Sequence, residues 1–332
     1  MEIRKIQKTG VSTMTVSLPK SWVEQQGLRQ GDPLEVDVMR DGTLSLSCVL
    51  SERNKPNKKT VQVDRDEIGP HLMRKLIAAY LAGYDIIEVR APNRLDFELK
   101  REIKEFSRLV IGPEVIEETI NSLVLHDLSD PGELPQRKCV RRMHLLASSM
   151  HKDAMIAFED GDEELARDVI DRDLDVDRLY LMVVKQYNLI LKDRKIGEKI
   201  GVDVFEGVNL MLAARLIERI GDHAEKIARI SLLHNDSGSK SMVNDLKMLS
   251  ERAIMILNKA VESLFKQDIH EANLVVDEGT QLVEDCERLK PGGENRECAS
   301  LNENTVLDSI LRTAMYSIDI AETAINLTMN CE

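Results

Sequence analysis

Two pairs of carboxylates, each spaced four residues apart, stand on two predicted helices of this chain. Asp173 and Asp177 lie in VIDRDLDVDRLY, and Glu218 and Asp222 lie in RLIERIGDHAEKIAR. A spacing of four places both members of a pair on one helix face, and each pair borders the apolar seam of its helix. If the helices face each other, four carboxylates converge, and buried anions of like sign cannot stay ionised unpaired. A divalent or trivalent cation would resolve this, and an all-oxygen site suits Mg, Mn, Ca or Fe.

The residues around the second pair leave two interpretations open. Gly221 is costly in mid-helix, and it has a purpose if a neighbouring helix or an ion must approach closely. His223 is a candidate further ligand, or a donor that orients a ligand. Alternatively, the acids form a solvated edge and pair at helical spacing with Arg215, Arg219 and Lys226.

The C-terminal part of the chain is predicted to be all helical and to contain an internal repeat. RLIERIGDHAEKIAR at 215 aligns without gaps to RTAMYSIDIAETAIN at 312, and ELARDVIDRD aligns to HEANLVVDEG. This predicts two three-helix halves, over 136–235 and 240–330. The helical patterns run over about 136–160, 162–192, 202–233, 240–267, 270–290 and 303–330, and the KDRKIGEKIG stretch is taken as a break.

The second half departs from the carboxylate pattern of the first. The positions that match Asp173, Asp177 and Glu218 hold Gly279, Val283 and Met315, and only Asp319 persists, opposite Asp222. Three acids remain nearby in a different helical phase: Glu278, Glu284 and Asp285. One carboxylate site, rather than two, is therefore expected.

The N-terminal 135 residues alternate between strand-like and helix-like patterns. Residues 1–50 read as short strands with a hairpin at Asp41-Gly42 and a short helix that begins at Pro19 and is closed by Gly27. After a basic linker at 51–59, residues 60–128 show a βαβαββ order that suggests a small α+β layer. A second linker, SDPGELP, covers 129–135. The fold class expected is multidomain: an all-β head, an α+β connector and a body of tandem three-helix bundles.

Bulk composition limits the classes of function. The 332 residues carry a net charge of −13, which argues against nucleic-acid binding by the whole chain but not by a small basic module. Apolar runs fall short of the roughly 20 residues that span a bilayer, and the N-terminus has no apolar signal region. The five scattered cysteines without a CxxC pair fit a reduced, cytoplasmic protein. An EXXH motif and a Ser/His/Asp or Cys/His arrangement tied to the acids are absent, so we expect no enzyme.

The block ERIGDHAEKIA, with VIDRDLDVDRLY about 45 residues before it, resembles the PhoU family of phosphate-uptake regulators. The resemblance covers about 136–330, strongly in the first half and weakly in the second. It implies two tandem three-helix bundles, a metal cluster on E/D-x-x-x-D motifs and repression of phosphate import through a Pst-type transporter and its signalling partners. Carried over, the motif assigns Asp173, Asp177, Glu218 and Asp222 as ligands of a metal, with Fe, Zn, Mn and Mg as candidates.

The head resembles the SpoVT/AbrB swapped-hairpin domain. The matching features are Thr9-Gly10 before a strand, Leu18-Pro19-Lys20-x-Trp22, Gly31-Asp32 and the Asp41-Gly42 hairpin. In that fold each chain completes its partner's strands, so the resemblance implies a homodimer. Four cations against a lone acid, Glu2, make this end basic and suited to phosphates. These candidate DNA-binding residues are Arg4, Lys5, Lys8 and Lys20.

The functional expectation is a cytoplasmic, dimeric regulator that binds DNA through its head and relays phosphate-transport status through a metal-binding body. One alternative is an adaptor that never touches DNA. It would bind a phosphate-transporter ATPase or a phosphate-sensing signalling protein and use the head only to dimerise. The other alternative is a carboxylate-metal oxidase or hydrolase. The connector offers no catalytic spacing and no Gly-rich phosphate loop, and its βαβαββ pattern is compatible with a small-molecule regulatory site or a dimer contact.

Overall fold

The computed structural model describes residues 2–38, 42–48, 56–63, 69–233, 240–290 and 301–329. The chain divides into two compact units, Met1–Pro56 and Asn57–Glu332. Several features predicted from the sequence lie outside the described residues. These are Asp41 of the hairpin, most of the basic linker, the helix breaks at 234–239 and 291–300, and the two cysteines Cys298 and Cys331.

The N-terminal unit consists of two short hairpins and one helix. Strands β1 (Gln7–Thr9) and β2 (Thr13–Thr15) pair antiparallel, as do β3 (Leu34–Val38) and β4 (Leu44–Cys48). Helix α1 (Lys20–Gln25) begins directly after Pro19, as predicted. Cys48 is the one buried apolar side chain among the described residues of this unit, so a single copy of the head has almost no core.

The second unit begins with the α+β connector, whose βαβαββ order is confirmed. The elements are β5 (Lys58–Gln62), α2 (Pro70–Leu81), β6 (Ile86–Arg90), α3 (Phe97–Leu109), β7 (Pro113–Glu118) and β8 (Ser122–Asp127). The sheet order is β5-β6-β8-β7, with β5 parallel to β6 and the other pairs antiparallel. Leu76 of α2, Ile103 of α3 and Val89 of β6 share one buried core.

All the described secondary-structure elements in the rest of the second unit are helices. The helices are α4 (Gln136–Asp160), α5 (Glu163–Lys192), α6 (Arg194–Ile200), α7 (Val204–Leu233), α8 (Lys240–Lys266), α9 (Ile269–Leu289) and α10 (Leu301–Met329). Helix α7 packs against α4, α5 and α10, and α10 also packs against α8 and α9. One continuous hydrophobic core runs through both sequence repeats. None of the described helices is long and apolar enough to cross a membrane.

The KDRKIGEKIG stretch separates the long helices α5 and α7, as predicted, but it also contains a short helix that was not predicted. Residues 194–200 form the short helix α6, because the side chain of Asp193 accepts a hydrogen bond from the backbone N–H of Lys195 at its start. Gly197 allows this turn to close, since a Cβ there would lie 2.7 Å from the backbone oxygen of Val202. The helix ends at Gly201, which has a left-handed conformation (φ +71°) that favours glycine.

Candidate functional site

Helices α5 and α7 pack side by side and bring the predicted carboxylates together. One carboxylate oxygen from each of Asp177, Glu218 and Asp222 can be chosen so that all three lie within 4.8 Å of one another. The packing follows from the sequence, because Val176 on α5 and Ile217 on α7 are fully buried in the common core. The acids therefore occupy the rim of an apolar seam that holds the two helices in register.

Glu218 is the most deeply placed of the four carboxylates. It is only 9% exposed, and its Oε1 accepts a hydrogen bond of 2.8 Å from Nη1 of Arg215. Its other oxygen, Oε2, is buried and has no hydrogen-bond partner among the described residues. An ionised carboxylate oxygen left in this way costs free energy unless a proton or a cation satisfies it.

The electrostatics of the cluster favour protonation or cation binding. Burial, followed by the charges of Asp177 and Asp222, raises the pKa of Asp173 to about 7. Burial and the charge of Asp222 raise the pKa of Glu218 to about 7, against an opposing effect of Arg215. The pKa of Asp177 rises to about 6, mainly through burial and Asp222, and partial burial also raises the pKa of Asp222. Asp173 lies outside the group of three oxygens, but the charges of the other three acids and of Glu225 contribute to its raised pKa.

Gly221 has a steric reason to be glycine. A Cβ at this position would lie 3.2 Å from Oδ1 of Asp173 and 3.5 Å from Cγ1 of Val176. The bare backbone of α7 therefore leaves room for the carboxylate of Asp173 beside Asp222. Because the predicted reason for this glycine was close approach of a neighbouring helix or ion, the geometry agrees with the first of these.

The corresponding place in the second repeat is filled with hydrocarbon. Gly279 on α9 matches Asp173, and Ile318 on α10 matches Gly221. A Cβ at Gly279 would lie 2.5 Å from Cγ1 of Ile318. The glycine therefore stands on α9 and the larger side chain on α10, whereas in the first repeat the glycine stands on α7, the helix that corresponds to α10. Nearby acids are engaged elsewhere, since Lys259 binds Glu278. The second repeat lacks the cluster because Gly279, Val283 and Met315 replace three of its acids, and Ile318 fills the space beside Gly279.

The neighbouring cations and His223 do not neutralise the cluster. Only Arg215 of the three predicted pairing residues forms an ion pair with one of the four acids among the described residues. Arg219 hydrogen-bonds to Tyr316 of α10, and Lys226 lies 3.9 Å from Asp308, also on α10.

His223 turns toward α10 as well. Its ring packs 5.9 Å from that of Tyr316, and burial, with smaller effects from nearby charges, lowers its pKa to about 4. Its Nδ1 is buried without a hydrogen-bond partner among the described residues. The group of oxygens within 4.8 Å excludes His223, so a direct ligand role is not supported.

The donor set fits a metal ion. Four carboxylates, one buried unpartnered oxygen and a single arginine leave an excess of negative charge that suits a hard cation with oxygen ligands. The residues that would hold the ion are Asp177, Glu218 and Asp222, and Asp173 would add a nearby negative charge.

The predicted DNA-binding cations of the head are all exposed. Arg4 pairs with Glu2, and Nζ of Lys20 lies 3.7 Å from Oε1 of Glu24. Lys8 is on β1, opposite Met14 of β2, and Lys5 precedes that strand.

Two segments of the chain match known protein families. Residues 140–231 match the family model described as the PhoU domain, and residues 7–47 match that of the antidote-toxin recognition MazE bacterial antitoxin. Two phosphate-specific transport system accessory protein PhoU homologues from Xylella fastidiosa strains are 22% identical to this chain over 173 residues. The 173 aligned residues cover 52% of this chain but only 64% and 65% of the relatives' own length.

A solved structure shares the helical fold. PhoU from Pseudomonas aeruginosa superimposes with a TM-score of 0.51 at 20% identity, covering 60% of this chain and 98% of that one. The phosphate transport system regulatory protein PhoU from Streptococcus pneumoniae gives a TM-score of 0.49 at 17% identity, over 59% and 94%. The predicted resemblances are confirmed: along the chain, a MazE/AbrB-like N-terminal segment is followed by a PhoU-like helical region.

Proposed function

We propose that this protein is a phosphate-responsive regulator that binds DNA through a dimeric head and binds a metal ion in its helical body. The observation that carries the proposal is the convergence of Asp177, Glu218 and Asp222 inside the segment that matches the PhoU domain. The related proteins are accessory proteins of phosphate-specific transport by name, which supports a regulatory rather than an enzymatic role in the cytoplasm.

The metal ion would hold α5 and α7 together by binding carboxylates from both helices. When bound, it supplies positive charge to a seam that otherwise holds four mutually repelling carboxylates. Because the pKa values of Asp173 and Glu218 are raised to about 7, metal binding near neutral pH releases protons. In the absence of the ion, protonation of the same acids would relieve their repulsion.

Helix α5 offers a physical connection from the metal site to the connector. Its first half carries Asp173 and Asp177, and its second half is fixed to the connector by several polar contacts. Nδ2 of Asn188 donates a hydrogen bond of 2.8 Å to the backbone oxygen of Leu81. A Cβ at Gly83 would lie 2.4 Å from Cδ2 of Leu189, which shows how closely the two parts approach.

The tightest of these contacts is a buried ion pair. Nζ of Lys185 binds Oδ2 of Asp127, and both side chains are almost fully buried. The same ammonium lies 4.7 Å from the centre of the Tyr80 ring, and Asp127 also accepts hydrogen bonds from the backbone and hydroxyl of Ser129. A buried pair with this support resists sliding of α5 over the sheet, so a shift of α5 at the metal site would be transmitted to the connector.

The head needs a second copy to bury its apolar side chains. Large hydrophobic residues are exposed along its strands and the segments that flank them: Ile3, Ile6, Val11, Met14, Val16, Val36, Val38 and Leu44. A solitary unit of about 50 residues with so little core would be unstable. Pairing of two heads would cover this surface and place two sets of the four exposed cations on one dimer, which supports DNA binding.

The proposal is tested by selecting binding sequences from random double-stranded DNA with the full-length protein. The dissociation constant of an enriched sequence is then measured by fluorescence anisotropy. The Lys5→Gln/Lys8→Gln variant should bind at least about 10-fold more weakly. A control variant, Lys226→Gln/Lys247→Gln, makes the same change in total charge on the helical body and should bind normally.

Two outcomes of this experiment contradict the DNA-binding role. These are failure to enrich any sequence, and equal binding by both variants. Either one favours the alternative function, an adaptor that binds a phosphate-transport component and uses the head only to dimerise. The net charge of −13 is the observation that favours this alternative.

The relay from metal to head is tested with the same assay in EDTA and in Mn²⁺. Wild-type protein should change its DNA affinity between the two buffers, and the Asp177→Asn/Asp222→Asn variant should not. Equal affinity of the wild type in both buffers would leave the metal with a structural role alone.

A further inference from the structure

A second charged feature lies on the connector, where the sequence offered no functional residue. A cleft of about 550 Å³ runs beside α3 and is lined by five cationic side chains and only two carboxylates. The cations are Arg94, Lys100, Arg101, Lys104 and Arg108, and the carboxylates are Glu105 and Glu118. In a chain with a net charge of −13, such a local excess of positive charge requires a reason.

Two of the five cations are not used by the fold. Among the described residues, Arg94 and Arg108 form no hydrogen bond or ion pair through their side chains, and both are exposed. Arg94 precedes α3 and Arg108 lies near its C-terminal end. These guanidinium groups without a protein partner therefore lie toward opposite ends of the same cleft. The planar arrangement of their donors matches a phosphate.

The middle of the cleft is organised around one shared carboxylate. Nζ of Lys100 lies 2.7 Å from Oε1 of Glu118, and Nζ of Lys104 lies 3.2 Å from its Oε2. These two ammonium groups lower the pKa of Glu118. Two lysines that share one acid keep a net positive charge, and the acid holds both at the wall of the cleft. Their remaining donors are available to an anion.

The spacing of the cations indicates a ligand with several phosphates in a row. Lys100, Lys104 and Arg108 are four residues apart, so their Cα atoms span about 12 Å along the helix at a rise of roughly 1.5 Å per residue. A single phosphate would use only one end of this row. Phe97, at the start of α3, is 75% exposed beside the same cleft and presents a flat surface on which a base can stack.

We propose that this cleft binds a nucleoside di- or triphosphate, with its phosphates among Arg94, Lys100, Lys104 and Arg108 and its base against Phe97. The volume falls within the range of roughly 300–1,000 Å³ that is usual for small-molecule sites. A nucleic-acid strand is less suitable, because Glu105 and Glu118 at the cleft would repel phosphates that continue beyond it. The proposal does not depend on the metal site or on DNA binding by the head.

The experiment is isothermal titration of the full-length protein with ATP, AMP and inorganic triphosphate in EDTA. The Asp177→Asn/Asp222→Asn background is used so that the carboxylate cluster cannot contribute through bound metal. ATP should bind saturably and at least about 10-fold more tightly than AMP. Replacing Arg94 and Arg108 by serine should weaken ATP binding by about 10-fold or more, because two charge-assisted contacts are lost.

Matched variants separate a binding site from general electrostatics. Arg167→Ser/Arg288→Ser makes the same chemical change on α5 and α9, where both arginines pair with a glutamate one turn away, and should bind ATP normally. Glu118→Gln removes the competing carboxylate and should tighten binding several-fold. Phe97→Ala should weaken binding of ATP but not of triphosphate.

Several results would overturn the proposal. Lack of saturable ATP binding, equal affinity for ATP and AMP, or equal loss in the two arginine pairs would show that the cleft is not a polyphosphate site. Unchanged or weaker binding by Glu118→Gln would show that the shared lysines do not contact the ligand. Equal affinities for ATP and triphosphate would overturn the contact between Phe97 and the base, and saturable binding of single-stranded DNA in place of ATP would identify a different ligand class.

Discussion

Replacing Asp173 by asparagine removes one negative charge from the carboxylate cluster with little change in the shape of the side chain. Its pKa is raised from 3.8 to about 7 in the folded protein, by burial and by the charges of Asp177 and Asp222. Between about pH 4 and pH 7 the folded state therefore holds more protons than the unfolded state. Stability must fall as the pH rises through this window. Metal-free wild-type protein is thus expected to be more stable at pH 5 than at pH 8.

The size of the effect follows from the pKa. If Asp173 has an ordinary pKa in the unfolded chain, its raised pKa corresponds to about 4 kcal/mol of lost stability at high pH. Three other acids share the repulsion and solvent reaches the half-buried group, so the variant should recover less, about 1–2 kcal/mol. For a unit of this size that raises the unfolding midpoint by about 2–4 °C.

The assay is thermal unfolding in EDTA at pH 5 and pH 8, followed by far-ultraviolet circular dichroism. Asp173→Asn should raise the midpoint at pH 8, change it little at pH 5, and reduce the stabilisation that added Mn²⁺ gives the wild type. Asp171→Asn is the matched control, because Asp171 is exposed on the same helix. Its replacement should change neither the unfolding midpoint at either pH nor the stabilisation by Mn²⁺. The reasoning is refuted if metal-free wild type is equally stable at both pH values, or if Asp173→Asn is less stable than wild type at pH 8.

Three further predictions concern other parts of the chain. Gly221→Ala places a Cβ 3.2 Å from Oδ1 of Asp173 and should weaken Mn²⁺ binding about 10-fold by calorimetry, whereas unchanged affinity would show that the close approach does not matter. Lys185→Met leaves Asp127 buried without its cation and should cost about 3 kcal/mol in urea unfolding; a cost below about 1 kcal/mol would mean that the pair does not fix α5 to the connector. Val38→Asp puts a charge on the exposed apolar surface of the head and should convert dimers to monomers in light scattering, and persistent dimers would place the dimer contact elsewhere.

The carboxylate cluster could be predicted from sequence because its information is local. A spacing of four residues places Glu218 and Asp222 on one face of α7, and the apolar positions beside them fix which face meets α5. The internal repeat also supplied a comparison, since the replacement of Asp173 by Gly279 predicts that the second half lacks the acids. The packing of Ile318 beside Gly279 adds a second reason, and only the three-dimensional contact reveals it.

Other features depend on contacts between distant segments and could not be read from the pattern. Helix α6 was missed because two glycines and six charged side chains in ten residues resemble a loop, while the cap by Asp193 decides the local structure. The cleft beside α3 was missed because alternating charges on a helix indicate a solvated face. Its character depends on Glu118 from β7 and on Arg94 from the preceding loop, and neither lies on the helix.

The most direct test of the account is the metal content of full-length, tag-free protein, measured by inductively coupled plasma mass spectrometry. Wild-type protein is compared with Asp177→Asn/Asp222→Asn, and Asp171→Asn serves as the control for loss of a carboxylate on α5. The account predicts a near-stoichiometric amount of one metal in the wild type and the control, and its loss in the double variant. Absence of metal from the wild type, or equal amounts in all three proteins, would contradict it.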